Sequence, residues 1–358
     1  VNVKKICVIH LNQVGDLVFS LPLLKALREN YPDSEIHSIV KPYLQELITD
    51  FPCVDQIIIR NSGLKERLKL LRRVRQNGYD LLISLSDSEE CLFLTALSKA
   101  RIKVGFSHFP WDFSLDIRER VEGHHGWYNN LKLLTRLGVN VEKRDYVGLL
   151  VPPALEKDGR ELAESLGSSL QGNYVIISPG TSVRRRVKEW EGEKFAELII
   201  LLKANYDLTP VLVGGKENRE LSNEIVNIVK ERDNGENIDI VDLTGKIKLR
   251  DLCFFIRKAS LFVGIDSGVM HLASSMDVPV VGIFGPSDPF YVGPQNKQSL
   301  VVRQEEMSCI PCYLKGCKER TCMKELDVTK VLHACEHVLN QSGNNNLPRI
   351  RSYSPKGS

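Results

Sequence analysis

An α/β protein of two doubly wound, parallel-sheet domains facing each other across a cleft is predicted by three features of this sequence. Its 358 residues exceed one ordinary domain and suit two, each able to bury its own core. Short β-rich runs alternate with amphipathic stretches in two successive series, the rhythm of parallel strands joined by crossover helices. The series are separated by a compositional break at Val151-Pro152-Pro153.

The first domain, residues 1–150, reads as strand 6–11, helix 17–30, strand 35–40, helix 43–49, strand 56–59, helix 64–76 stopped by Gly78, strand 81–85, helix 89–99, strand 104–106 and helix 127–137. A linker region spans 151–172. The second domain, 173–326, has strands at 174–178, 210–213, 240–242, 261–265 and 278–284. Its helices are expected at 193–203, 218–230 and 249–258, with one more opening at Ser267-Gly268. A last helix within 327–341 is expected to pack back across the interface between the domains. The tail at 342–358, rich in Asn, Ser, Pro and Gly, lacks the apolar content that offsets the entropy of ordering and is predicted to be disordered.

A composition of 42% hydrophobic and 26% charged residues is that of a globular chain, and no apolar run approaches the roughly 20 residues of a membrane-spanning helix. The N-terminus has no secretory cleavage pattern, so the expected compartment is the cytoplasm. A net charge of +3 is too small to imply nucleic-acid binding. One local patch stands out, with Arg60, Lys65, Arg67, Lys69, Arg72, Arg73 and Arg75 against the single acid Glu66. It reads either as a solvated helix face or as a surface for an anionic partner. Of nine cysteines, Cys7, Cys53, Cys91, Cys253 and Cys335 lie in apolar runs and are expected in the core. Cys309, Cys312, Cys317 and Cys322 cluster at a spacing that tetrahedral zinc tolerates, although reduced thiols in a lysine-rich loop are the plainer reading.

The chemistry is expected where strands run into helices. Gly15 and Asp16 follow the first strand; Gly15 permits a tight turn, and Asp16 either caps the helix or faces a ligand. In the second domain, Ser178-Pro179-Gly180-Thr181-Ser182 offers backbone N–H groups and hydroxyls to phosphate oxygens, and Arg184, Arg185, Arg186 and Lys188 follow. The densest pattern is Asp266-Ser267-Gly268 at a helix start, where unpaired N–H groups and the helix dipole favour an anion. His271, four residues past Ser267, is on the same helix face. Gly285-Pro286-Ser287 closes the next strand on the same edge.

Taken in order, Gly15-Asp16 with Leu21-Pro22-Leu23-Leu24, Pro179-Gly180-Thr181 leading to Lys188-Glu189-Trp190, Val213-Gly214-Gly215, Asp266-Ser267-Gly268 with His271, and Gly285-Pro286-Ser287 resemble the bacterial lipopolysaccharide heptosyltransferases of glycosyltransferase family 9, over roughly residues 3 to 340. The resemblance implies the GT-B architecture of two Rossmann-like domains. It also implies an ADP-heptose donor, inversion at the sugar carbon, no metal cofactor and an anionic lipid-linked acceptor reached at the cytoplasmic face of the inner membrane. Asp16 would match the family's base and Lys188 the lysine that neutralises the departing diphosphate. Asp266, Ser267, Gly268 and His271 would match the diphosphate-binding helix start, Thr181 and Ser182 the loop opposite, and Glu217 an acid reaching the ribose. Gly285, Pro286 and Ser287 complete the donor side, while Arg60, Lys65, Arg72 and Arg73 become candidates for holding the acceptor's charges. Where many relatives place a proline after the tryptophan, this chain has Glu191-Gly192. A transferase using another nucleotide sugar, and a non-catalytic nucleotide-sugar-binding homologue, are the competing readings.

Overall fold

A computed structural model gives the structure of the chain and describes residues 3–139, 141, 144–148, 160–162, 164, 170, 173–233, 238–305, 307–312 and 317–341. The chain divides into two compact units, Val1–Pro152 and Pro153–Ser358. Most of the 151–172 stretch and all of the 342–358 tail lie outside the described residues.

The first unit holds six parallel strands, β1 (Lys5–Ile9), β2 (Glu35–Val40), β3 (Gln56–Ile59), β4 (Leu81–Ser84), β5 (Ile102–Phe106) and β6 (Ile117–Glu119), in the order β3-β2-β1-β4-β5-β6. In β1 the residues Ile6, Cys7, Val8 and Ile9 are all fully buried, which a strand covered by helices on both faces requires. Helices α3 (Leu64–Asn77) and α4 (Glu89–Leu97) bury Leu70, Val74, Cys91 and Leu94 against Cys7, Ile9 and Leu82. The alternate residues Ile6 and Val8 face the other side. Right-handed crossovers put α1 (Val14–Asn30) there, packed against α5 (Gly126–Arg136). Gly78, at φ 61°, ends α3 in the left-handed conformation that a side chain disfavours. The sequence predicts one helix over 43–49; the chain instead makes a 3-10 turn at Pro42–Leu44, opened by the proline, and then α2 (Gln45–Ile48).

The second unit repeats the plan with β7 (Tyr174–Ser178), β8 (Thr209–Leu212), β9 (Val241–Asp242), β10 (Leu261–Ile265), β11 (Val280–Phe284) and β12 (Ser299–Arg303), all parallel, in the order β12-β11-β10-β7-β8-β9. Its helices are α6 (Gly192–Tyr206), α7 (Arg219–Arg232), α8 (Leu249–Lys258), α9 (Gly268–Ser275), α10 (Pro289–Val292), α11 (Thr321–Lys324) and α12 (Val328–Gln341). Trp190 is anchored in the core edge-on to Phe195, its ring N–H donating to the Leu326 carbonyl at 3.1 Å. The apolar face of α12, with Val331, Leu332, Cys335, Val338 and Leu339, joins the core of this same unit. The edge strands β6 and β12 give little sequence signal: one is three residues long, and the other has a single buried residue, Val302. Among the described residues no helix is long and apolar enough to cross a membrane.

In each sheet all strands point one way, so the loops after their carboxyl ends share one edge. In the second unit the strand order reverses between β7 and β10, which places the loops after those two strands at the switch point.

Candidate functional site

Strand β10 ends at Ile265, and Ser267, in extended conformation, is the N-cap of α9. Asp266 lies between them, buried, and its carboxylate receives Lys188 Nζ on one oxygen while His271 Nε2 lies 3.9 Å from the other. Burial pushes the Asp266 carboxyl up, but Lys188, His271 and a hydrogen bond from Ser287 outweigh it and hold the group below the usual carboxylate value. This joins four of the predicted residues, Lys188, Asp266, His271 and Ser287, into one charged cluster at the helix start. Beside it the hydroxyls of Ser267 and Ser178 are buried with no hydrogen-bond partner among the described residues. Buried hydroxyls are normally paired, so one at the helix start and one at the end of the neighbouring strand β7 suit a ligand rich in acceptor oxygens.

The loop after β7 forms the adjoining wall. The Thr181 amide donates to Glu189 Oε1 at 3.4 Å, and its carbonyl accepts from Asn218 Nδ2 at 2.9 Å. Asn218 Oδ1 accepts from the Gly215 amide at 3.1 Å, so one amide side chain ties the loop after β7 to the loop after β8. Gly180 leaves the room this needs: a Cβ there would lie 2.3 Å from Asn218 Nδ2. Sequence reading treats Asn218 only as a helix start, and the local glycine and asparagine pattern carries no hint of its partner 37 residues away. Ser182 and Glu217 are exposed on the rim, as are Arg184, Arg185 and Arg186, whereas Lys188 turns inward. Gly285 and Pro286 are buried against the cysteine segment. A Cβ on Gly285 would lie 2.3 Å from Met323 Sδ, and the Cys312 amide donates to the Pro286 carbonyl at 2.7 Å.

All nine cysteines are free, and the five expected in the core are buried. Cys309 is exposed, Cys312 and Cys317 are half-buried and Cys322 is buried. Burial pushes the Cys322 thiol up, with the other three cysteines adding to it. Among the described residues no three candidate ligands converge on a metal-sized site. Cys322 packs behind Gly285, and the Cys312 amide meets the Pro286 carbonyl.

In the first unit, Gln13 is the N-cap of α1, so Asp16 is not the capping residue; it lies in the helix's first turn, half-buried, at the carboxyl edge of the sheet. The loop before it is clamped twice at Asn12, whose side-chain oxygen accepts from Arg60 Nη2 and whose carbonyl accepts from Tyr43 Oη. His10 is sealed behind the loop between Ser20 at 2.8 Å and Ser38 at 3.1 Å; burial, with Arg60 adding to it, pushes its pKa down to about 3, so the ring is neutral.

Arg60 corrects the sequence reading. Expected in an exposed basic patch, it is fully buried, donating to the His10 carbonyl at 3.3 Å and facing Glu90 at 3.4 Å. The two-residue strand period held the clue, because Arg60 continues the buried face of Ile58. The other cations of the patch are exposed but spread along α3. Lys65 sits in its first turn, whereas Arg73 lies near Tyr79 toward the opposite edge of the sheet, and Arg72 precedes it. Arg60→Ala is expected to cost about 3 kcal/mol, the low end for breaking a buried pair because Glu90 retains some solvent. Lys65→Ala should stay within about 0.5 kcal/mol. Urea unfolding of the two variants checks the contrast.

With this geometry in place, comparison with known proteins gives a consistent set. The family model described as glycosyltransferase family 9 (heptosyltransferase) matches residues 67–323. Lipopolysaccharide heptosyltransferase 3 of Escherichia coli K12 is 29% identical over 294 residues, covering 78% of this chain and 82% of that protein. Lipooligosaccharide heptosyltransferase 2 of Campylobacter jejuni is 26% identical over 337 residues, covering 93% and 98%. The solved structure of E. coli ADP-heptose lipopolysaccharide heptosyltransferase II superposes with a TM-score of 0.79 at 21% identity, covering 94% of this chain and 99% of that one. That last likeness is one of fold, and it gives both sheets their counterpart in the GT-B architecture.

Proposed function

We propose, from the premise that this chain belongs to glycosyltransferase family 9, the heptosyltransferases, that it transfers heptose from ADP-heptose to the inner core of a lipopolysaccharide acceptor at the cytoplasmic face of the inner membrane. The observation that carries the donor half is the cluster at the start of α9. There Lys188, His271 and the unpartnered hydroxyl of Ser267 lie at a helix N-terminus on the switch point of the sheet, with the unpartnered hydroxyl of Ser178 at the end of the adjacent strand β7. A nucleotide diphosphate supplies the anionic oxygens that such a cluster takes. Thr181 and Ser182 line the adjoining loop, and Glu217 on the rim is the candidate for the ribose hydroxyls.

The reaction is a single displacement with inversion. An acceptor hydroxyl oxygen attacks the anomeric carbon, the bond from that carbon to the diphosphate oxygen breaks, and the hydroxyl proton passes to the Asp16 carboxylate. The charge that builds on the departing ADP is met by Lys188 and by the N–H groups of the α9 start, so no step uses a metal. Asp266 positions Lys188 until the diphosphate arrives and competes for it. For the acceptor, Lys65 is the one of the exposed predicted cations, Lys65, Arg72 and Arg73, nearest in sequence to the carboxyl edge where Asp16 lies. Arg72 and Arg73, two turns along α3, would meet only a larger acceptor.

The test is a donor and acceptor screen read by mass spectrometry. ADP-heptose, UDP-sugars and GDP-sugars are offered with Kdo-lipid A, with and without a first heptose. A heptose mass added from ADP-heptose alone is the expected result; transfer from a UDP- or GDP-sugar in its place, or hydrolysis without transfer, would sink the reading.

A further inference from the structure

The loop between β5 and β6 is built inside out for a surface in water. Phe109 is 88% exposed and Phe113 75% exposed, and Trp111 stacks on Phe113 with ring centroids 5.9 Å apart. Phe93, half-exposed on α4, lies on the helix that packs against this loop. The loop is held by its own polar bonds. Asp112 accepts from Ser107 Oγ at 2.8 and 2.9 Å and from the His108 amide at 2.8 Å, and the Ser107 amide donates to the Glu119 carbonyl at 2.8 Å. These bonds make a frame that holds the aromatic rings outward.

The charges around the loop are sorted in the same sense. Arg118 on β6 and Arg120 just past its end are exposed and form no ion pair among the described residues. Of the nearby carboxylates, Asp116 accepts from the Lys103 amide at 2.8 Å and Glu119 turns inward to Arg136. Asp112, bonded to Ser107 and His108, is the one whose charge the two arginines feel, so the pair of cations exceeds the single anion beside it. Exposed aromatic rings backed by a net excess of exposed arginine charge are complementary to a layer that is apolar within and anionic at its surface. The loop also leaves the sheet at the edge where Asp16 lies.

We propose that the β5–β6 loop is a docking surface for an anionic phospholipid bilayer, with Phe109, Trp111 and Phe113 entering the interface and Arg118 and Arg120 meeting the headgroups. This rests on the reading of the acceptor as lipid-anchored, since docking would hold the Asp16 edge at the surface from which such an acceptor is presented.

The test uses the full chain and vesicles without any acceptor, made of phosphatidylcholine alone or with about one third phosphatidylglycerol. The chain should sediment with the anionic vesicles, and brominated lipid should quench Trp111. Phe109→Ala/Phe113→Ala should lower vesicle partitioning by at least about tenfold. Arg118→Gln/Arg120→Gln should remove the preference for anionic lipid and its salt sensitivity. Both double variants should turn over a soluble, delipidated acceptor as the parent chain does. Absence of vesicle binding by the parent chain, or unchanged binding by the aromatic variant, overturns the proposal. A raised KM for the soluble acceptor would assign the rings to sugar contact, and loss of self-association on gel filtration would assign them to a second copy; either overturns it too. Turnover of the soluble acceptor reports on the transferase reading separately, because vesicle binding is measured with no acceptor present.

Discussion

Asp16→Asn is expected to lower kcat for heptose transfer by about 10²- to 10⁴-fold, the range a positioned general base contributes, while ADP still binds as it does to the parent chain. The substitution keeps the size of the side chain and removes its ability to take a proton. The loop leading to it is fixed independently, by Arg60 and Tyr43 holding Asn12, so the helix start should persist in the variant. Apart from Gly15, the residues proposed to bind ADP belong to the second unit, which is why binding and turnover should separate. Calorimetry with ADP and steady-state rates with saturating donor and acceptor give the two readings. Turnover within about tenfold of the parent chain would remove Asp16 from the role of base.

The parts of this molecule that were legible in the sequence are those whose signal is local. Strand β10 falls where its apolar run predicts it, and Ser267-Gly268 opens a helix as small residues at a strand end should. The ordered series of motifs was enough for the family resemblance because most of them are strand ends followed by turns, and the parallel topology brings such turns to one edge of each sheet. What was not legible depends on partners distant in the chain. Asn218 joins two loops through its amide, and nothing in its own neighbourhood announces Thr181. Arg60 sits in a run of cations, and composition groups it with the exposed ones, although strand period sends it inward to Asn12 and Glu90. Cys322 looks like one of four equivalent thiols, yet it is a wall residue behind Gly285. Charge and cysteine counts describe a segment, whereas burial is decided residue by residue.

Lys188→Met separates two roles that one side chain combines. Its loss removes the cation proposed to meet the departing diphosphate, with an expected fall in kcat of about 10²- to 10³-fold, the size of losing one preorganised donor to a developing anion. It also leaves Asp266 buried beside His271 without its ammonium partner, which should destabilise the second unit by about 3–5 kcal/mol. Lys188→Met/Asp266→Asn removes the stranded charge, so the double variant should recover most of the stability and none of the turnover. The pH dependence follows from the sign of the Asp266 shift. A carboxyl held below its usual value stabilises the fold above that usual range, and the stabilisation is lost as pH falls through the lowered value. Acid unfolding of the parent chain should therefore carry a contribution that the double variant lacks, read as a shallower loss of stability below about pH 4. If the double variant transferred heptose at the parental rate, the diphosphate charge would have to be met by the helix start alone. Lys188 would then be a structural partner of Asp266 and nothing more.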